Sequence, residues 1–194
     1  MLKKKNFDLL RDNFALLILS ALVGLIVSFV AQIFIISTKN IYQFIFLNDQ
    51  FTLNITLLNL ELNLIPLLIC IPSSLLVGIL MYYLKLSRWF GPADTIYAAH
   101  HRAGKLDLKG GFGSTLAAFI SISGGASVGI YGPLVHFGAT VSSFIRRQQF
   151  IPKIPHDIII GSGVAAAISA GFGAPLAGII FAHETVLRHF SMKA

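Results

Sequence analysis

The segment with the clearest capacity for chemistry is Gly124–Gly138, which reads GGASVGIYGPLVHFG. It lies inside a region, Gly110–Ile145, that contains no Asp, Glu, Lys or Arg. Pro133 is typical of the first turn of a helix, where backbone N–H groups have no partner inside the helix and the helix dipole is positive. The preceding glycines let an ion approach the backbone closely. The pattern therefore predicts that an anion binds backbone amides at Gly129, Ile130, Tyr131 and Gly132.

The same glycines and the nearby histidines also have other possible roles, in catalysis, metal binding or helix packing. Gly125–Gly129 matches the G-x-S-x-G pattern of a hydrolase nucleophile, but that turn follows a strand, and the sequence predicts none here. His100 and His101 are adjacent, so they point to different faces of a helix and are a poor pair for a metal. His136 is expected to pack or to hydrogen-bond locally, with a place along an anion path as the alternative. Close helix packing is favoured for the glycines of Gly161–Gly178 and is the alternative for the first segment.

The composition favours a lipid bilayer as the solvent. Of 194 residues, 55% are hydrophobic and 12% are charged, and the mean hydropathy is +0.77. Two uncharged apolar runs, Asn13–Thr38 and Leu62–Leu84, exceed the length of about 20 residues that spans the hydrocarbon core. The first run is longer than the apolar part of a signal peptide, and no A-x-A-like cleavage site follows it. We therefore expect an uncleaved first span.

The basic residues indicate membrane topology, although the net charge is +7. They flank the apolar runs and do not form a nucleic-acid-binding patch, so no nucleic acid partner is expected. The positive-inside rule places the N-terminus and Lys85–Lys109 in the cytoplasm and Asn48–Asn59 outside the cell membrane. The lone cysteine, Cys70, lies in an apolar run and has no second cysteine with which to form an internal disulfide.

The chain is predicted to be an all-α integral membrane protein. Two long helices are expected first, over Asp12–Phe46 and Glu61–Leu84, with a loop between them. Short helices interrupted by Gly and Pro follow: GPADTIYAAHHR, LKGGFGSTLAAFISIS, a helix from Gly132-Pro133 to about Arg147, HDIIIGSGVAAAISAG, and PLAGIIFAHETVLRHF from Pro175. Broken helices at membrane depth are tolerated where they are buried in protein or line a watery cavity, and in transporters their N-termini face anionic substrates.

Two of these segments carry a family resemblance. SGGASVGIYGPLVHFGA resembles the G-S-G-G-S-x-G-R-E-G-P-x-V-x-x-G segment of the CLC family of chloride channels and chloride/proton antiporters. AGFGAPLAGIIFAHE resembles that family's A-A-F-N-A-P-L-A-G-x-x-F-x-x-E segment. The resemblance covers Arg88–Phe190 and implies a CLC-like fold with half-helices that face an anion path. It also implies that residues 1–194 form a single transmembrane domain, the first of the family's two inverted repeats.

Departures from the family pattern bear on proton coupling. The family's gating glutamate falls on Tyr131, which makes this residue the gate position without a carboxylate. The family's internal proton-transfer glutamate falls on Thr185, so that proton station is lost. The neighbouring Glu184 matches an acid that is mostly structural in the family. The resemblance therefore implies passive anion conduction.

A third, weaker match concerns the other end of the anion path. The segment WFGPAD aligns with the family's G-S-G-I-P-E, so Phe90 replaces a serine whose hydroxyl contacts the ion, and Asp94 takes the acidic position. Anion binding at this end would then fall to backbone amides around Gly91. No catalytic residue, cofactor or metal is implied.

The sequence is therefore interpreted as a CLC-type chloride channel without proton coupling, present as an N-terminal half and not an enzyme. Its expected partners are chloride or another small anion, the lipid bilayer, and either a second-repeat half or a homodimer partner. The alternative is a non-conducting, truncated or split membrane protein that acts only as an assembly partner.

Overall fold

The helical architecture predicted from the sequence is confirmed in the structure, a computed structural model that describes residues 2–48, 54–57, 60–101, 106–147 and 155–187. Two long helices come first, α1 (Leu2–Phe46) and α2 (Ile65–Leu84). Shorter helices follow: α3 (Pro92–His100), α4 (Leu108–Ser123), α5 (Tyr131–Arg146), α6 (His156–Phe172) and α7 (Pro175–Phe181), which continues into a π-helical turn, Ala182–Leu187. Within the described ranges, the segments Phe14–Phe46 and Ile65–Leu84 are long and apolar enough to cross a membrane.

A short β-hairpin lies where the sequence predicted only a loop. Strands β1 (Asn54–Leu57) and β2 (Leu60–Asn63) pair antiparallel, with Asn54 opposite Asn63. The pairing satisfies backbone N–H and C=O groups between the two long helices, and Ile and Thr in β1 favour strand geometry. The hairpin also moves the start of α2 from the expected Glu61 to Ile65, whose N–H donates to the Asn63 side chain at 3.0 Å.

Local capping fixes the ends of the short helices. The Asp107 carboxylate accepts hydrogen bonds from the N–H groups of Lys109 and Gly110, both at 3.1 Å, and thereby caps the start of α4. After α4 the chain turns through Gly125, whose φ of +91° is a left-handed conformation that favours glycine. These local signals explain why α4 has the bounds that its sequence predicted.

Helix α5 is the centre of the fold, and its contact with α6 depends on glycine. Residues Leu134–Ser143 of α5 are all buried. A Cβ atom on Gly138 or on Gly163 would overlap the backbone of the other glycine, so the two helices touch backbone to backbone. This contact confirms the predicted packing role for Gly163, whereas a Cβ atom on Gly173, just after α6, would meet nothing within 4 Å. It also fixes the position of the start of α5 next to α3 and α4.

Candidate functional site

The starts of α3 and α5 border one cavity of about 370 Å³. Gly91 precedes α3, and Gly129 and Gly132 lie at the start of α5. A Cβ atom on Gly132 would lie 3.5 Å from Cγ of Pro92, which shows how closely the two helix starts approach. Two different sequence motifs predicted anion binding at Gly91 and at Gly129 and Gly132. The structure places these three residues around the same cavity. The wall comprises Val77, Trp89, Phe90, Gly91, Pro92, Ser114, Thr115, Ala117, Ala118, Ser121, Val128, Gly129, Gly132, Pro133 and His136.

The backbone at the start of α5 has unpartnered donors. The turn before the helix is held by the Val128 N–H, which donates to the Ala126 carbonyl at 2.8 Å. No acceptor among the described residues receives the N–H groups of the four positions Gly129–Gly132, and no side chain caps the helix at Ile130. A Cβ atom on Gly129 would meet nothing within 4 Å, so this backbone faces open space. Such an arrangement suits an anion.

The backbone before α3 is engaged differently. The N–H of Gly91 donates to a carboxylate oxygen of Asp94 at 2.9 Å, and the same carboxylate forms a two-point pair with the Arg88 guanidinium. The hydrogen bond from Arg88 holds the pKa of Asp94 below its ordinary value, so the acid stays charged at neutral pH. The predicted anion donor at Gly91 is therefore already bound to an internal carboxylate. Gly91 still borders the cavity with open space beside it, because a Cβ there would meet nothing within 4 Å.

The side chain of Tyr131 turns away from the cavity. Its ring stacks on Phe172 at the end of α6, with ring centroids 3.9 Å apart and planes 15° from parallel. Gly171 makes room for this stack, since a Cβ there would lie 2.9 Å from Cε1 of Tyr131. The side chain of the predicted gate residue therefore does not block the backbone at Gly129. Tyr131 is not among the described residues that line the cavity.

Thr185 and Glu184 lie in a different part of the fold, on the π-helical turn that follows α7. The Thr185 hydroxyl donates to the Phe181 carbonyl at 2.6 Å, so its hydrogen stays within its own helix. Glu184 is exposed on the surface of the chain. Neither residue borders the cavity, so these two positions and the anion-binding candidates form separate sites.

His136 belongs to the cavity wall, a role that the sequence left open. The residue is 1% exposed, and its Nδ1 atom lies 2.9 Å from the Thr95 hydroxyl oxygen. The Phe90 ring lies nearly parallel to the imidazole, with centroids 6.3 Å apart. The signal in the sequence was a polar ring in an otherwise apolar stretch of α5, but the sequence could not identify its partners.

A comparison with protein families covers the part of the chain that contains this cavity. The family model described as voltage gated chloride channel matches residues 73–194. The chain belongs to the voltage-gated chloride channel family. The match includes both half-helix segments that had suggested it, together with α3 and α4.

Curated members of the chloride channel family extend the similarity towards the N-terminus. The chain is 28% identical over 178 residues to the voltage-gated ClC-type chloride channel ClcB of Escherichia coli, which covers 89% of this chain and 41% of that protein. It is 30% identical over 125 residues to a putative ClcB-like chloride channel protein of Ralstonia nicotianae, covering 62% of this chain and 29% of that one. The chain thus spans less than half the length of these relatives. No solved structure shows a significant match.

Proposed function

We propose that the chain forms one side of a chloride pathway that conducts passively, with the cavity between the starts of α3 and α5 as its anion site. The observation that carries this proposal is the chemistry of the cavity wall. Its described residues include unpartnered backbone donors at Gly129 and Gly132 and contain no Asp or Glu. A wall with donors and without carboxylates attracts a small anion and does not repel it.

The attraction comes from groups that do not titrate. Backbone N–H groups at a helix start and the positive end of the helix dipole keep the same charge at every pH that leaves the protein folded. An anion held this way needs no proton to arrive or to leave. Conduction through the cavity is therefore expected to follow the chloride gradient alone.

The residues at Tyr131 and Thr185 support the same proposal. In the family motifs that this chain resembles, these two positions hold the acids that carry protons. Tyr131 carries a phenol in place of a carboxylate and stacks on Phe172 away from the cavity. The Thr185 hydroxyl hydrogen is committed to Phe181 within its own helix. Neither side chain is suited to exchange protons with the cavity.

We further propose that a second helical half, supplied by more chain or by a second copy, completes the pathway in the cell membrane, with the N-terminus in the cytoplasm. Two observations support this part. The chain covers 41% of the Escherichia coli relative, and none of the residues of α2 is buried against the rest of the chain. The exposed surface of α2 is available to lipid and to further protein.

The test is chloride flux and proton flux recorded together in liposomes. One preparation contains this chain alone, and the other contains this chain with the C-terminal part of a family member. Chloride flux without proton movement is expected in the second preparation and not in the first. Uphill proton movement driven by a chloride gradient would refute passive conduction, and the lack of flux in both preparations would favour the assembly-partner alternative.

A further inference from the structure

A polar side chain of α1 caps the end of another helix. Gln32 lies within the apolar run of residues 13–38, and its Nε2 atom donates a hydrogen bond to the Ala170 carbonyl oxygen at 2.7 Å. The side chain is exposed on the surface of a helix that is long and apolar enough to cross a membrane, so it faces lipid there. Polar side chains at membrane depth are rare and costly, so this contact indicates a specific role.

The carbonyl group that Gln32 caps has no partner within its own helix. Ala170 lies in the last turn of α6, where backbone C=O groups are left without intrahelical donors. The two N–H groups that follow the helix both donate to the Ser169 carbonyl, and the next residue, Pro175, has no N–H. Among the described residues, Gln32 alone donates to the Ala170 carbonyl. No water in the hydrocarbon core can replace this donor, so the last turn of α6 depends on it.

The turn that Gln32 caps also carries the partner of Tyr131. Phe172 follows Ala170 by two residues and stacks on the Tyr131 ring, with centroids 3.9 Å apart and planes 15° from parallel. A Cβ atom on Gly171, between them, would lie 2.9 Å from Cε1 of Tyr131, so the backbone of this turn also approaches the phenol closely. Phe172 is 56% exposed and Tyr131 is 38% exposed, so few other contacts hold the two rings. The position of the phenol therefore depends on the end of α6.

This stack keeps the phenol away from unpartnered backbone donors. Gly129 lies two residues before Tyr131, and a Cβ atom there would meet nothing within 4 Å. A tyrosine side chain has up to three staggered positions about its Cα–Cβ bond. A ring released from Phe172 can therefore turn towards the open space at Gly129, where it would lie between the N–H groups and an anion.

We infer that Gln32 is a positioning residue that keeps the anion site open. By capping Ala170, it fixes the last turn of α6. The fixed turn presents Phe172 to Tyr131 and so holds the phenol away from the N–H groups at the start of α5. The inference rests on the proposed function, since it concerns access to the same anion site. It assigns a part in that access to α1, which contains neither of the two resembling segments.

The direct test is ¹⁹F NMR on the 194-residue chain labelled with fluorotyrosine, in lipid nanodiscs. The chain has five tyrosines, and the signal that disappears in Tyr131→Phe assigns Tyr131. Gln32→Met removes the donor and keeps the side-chain length, so the Tyr131 signal should move towards its position in Phe172→Leu, which lacks the stack. Ile36→Met, also on the exposed surface of α1, is the matched control and should leave the signal in place. An unmoved signal in Gln32→Met would overturn the inference.

A double variant separates positioning from a purely structural role. In the completed protein, Gln32→Met should lower chloride flux by up to about fivefold, the effect of losing one hydrogen bond. Adding Tyr131→Ala to this variant should restore the flux, because no ring is left to cover the donors. If Gln32 served only to stabilise the fold, flux would stay low in the double variant, and that result would also overturn the inference.

The outcomes for this inference and for the proposed function are separable. A Tyr131 signal that moves in Gln32→Met, with no flux in any completed protein, would support the positioning of Tyr131 by Gln32 and refute conduction. Chloride flux in the completed protein, with a Tyr131 signal that does not move in Gln32→Met, would support conduction and refute the inference.

Discussion

The ring of Tyr131 lies stacked on the ring of Phe172, with centroids 3.9 Å apart. This contact joins the first residue of α5 to the last residue of α6 and turns the phenol away from the cavity. A stacked aromatic pair contributes roughly 0.5–1.5 kcal/mol beyond its buried area, so the arrangement is stable but reversible. The residue predicted at the gate position is thus held aside by Phe172, which belongs to the other resembling segment, AGFGAPLAGIIFAHE.

Gly171→Ala should displace the Tyr131 ring. The new Cβ would lie 2.9 Å from Cε1 of Tyr131, closer than real Cβ contacts allow, so the stack on Phe172 must shift. ¹⁹F NMR of the chain labelled with fluorotyrosine should show a changed Tyr131 environment. Gly24→Ala is the matched control, because its Cβ would meet nothing within 4 Å. An unchanged Tyr131 signal in Gly171→Ala would show that the stack does not depend on this glycine.

Gly163→Ala should destabilise the fold. Its Cβ would overlap the Gly138 backbone and the Ser142 hydroxyl at the contact of α5 and α6, and forced overpacking costs typically 1–3 kcal/mol. The thermal unfolding midpoint in detergent should fall clearly. Gly78→Ala in α2 should not lower it, since that Cβ would meet nothing within 4 Å and Ala favours helices. Equal midpoints for the two variants would contradict the backbone contact between α5 and α6.

Tyr131→Glu should make chloride flux through the completed protein depend on pH. A charged carboxylate at the start of α5 competes with the anion for the N–H groups of Gly129–Gly132, and a protonated one does not. Flux should therefore be low near neutral pH and rise as the pH falls. The unmodified protein and Tyr131→Phe should show little change over roughly pH 5–7.5, because the backbone donors that hold the anion do not titrate. Strong pH dependence in the unmodified protein would argue against passive conduction.

Asp94→Ala should free the Gly91 N–H and loosen the start of α3. In the native chain the hydrogen bond from Arg88 lowers the pKa of Asp94, so the stabilisation is fully present above the ordinary carboxyl pKa. It should be lost only as the pH falls through the lowered value. The unfolding midpoint of the variant should not show this additional fall at acid pH. If Asp94 competes with the anion for the Gly91 N–H, calorimetry should also detect tighter chloride binding by the variant. Unchanged chloride binding would show that Gly91 is not part of the anion site.

Cysteine accessibility should establish the topology. Asn54→Cys in β1 should react with a membrane-impermeant thiol reagent added outside cells, and Lys109→Cys at the start of α4 only after the membrane is opened. The positive-inside rule is the reason for this expectation. Both variants need the Cys70→Ser background, since Cys70 is exposed on this chain. The reverse labelling pattern would invert the proposed orientation.

Most of the helices could be read from the sequence because their limits are local. Apolar runs of spanning length predicted α1 and α2, and Gly and Pro predicted the short helices, among them α4, whose bounds are Leu108–Ser123. The same local reasoning placed unpartnered donors before Pro133. It missed the hairpin, since strand pairing depends on a partner strand as well as on the residues of one segment.

The composition of the candidate site was decided by tertiary packing. The backbone contact between Gly138 and Gly163 positions α5, and this position brings Gly132 to Pro92, forty residues earlier in the chain, as neighbours across one cavity. The direction of the Tyr131 ring and the pairing of His136 with Thr95 follow from the same packing. Motifs specify which groups a segment offers. The contacts between segments far apart in the sequence decide which of those groups meet. Some groups are already bound to a near neighbour, as the Gly91 N–H is to Asp94.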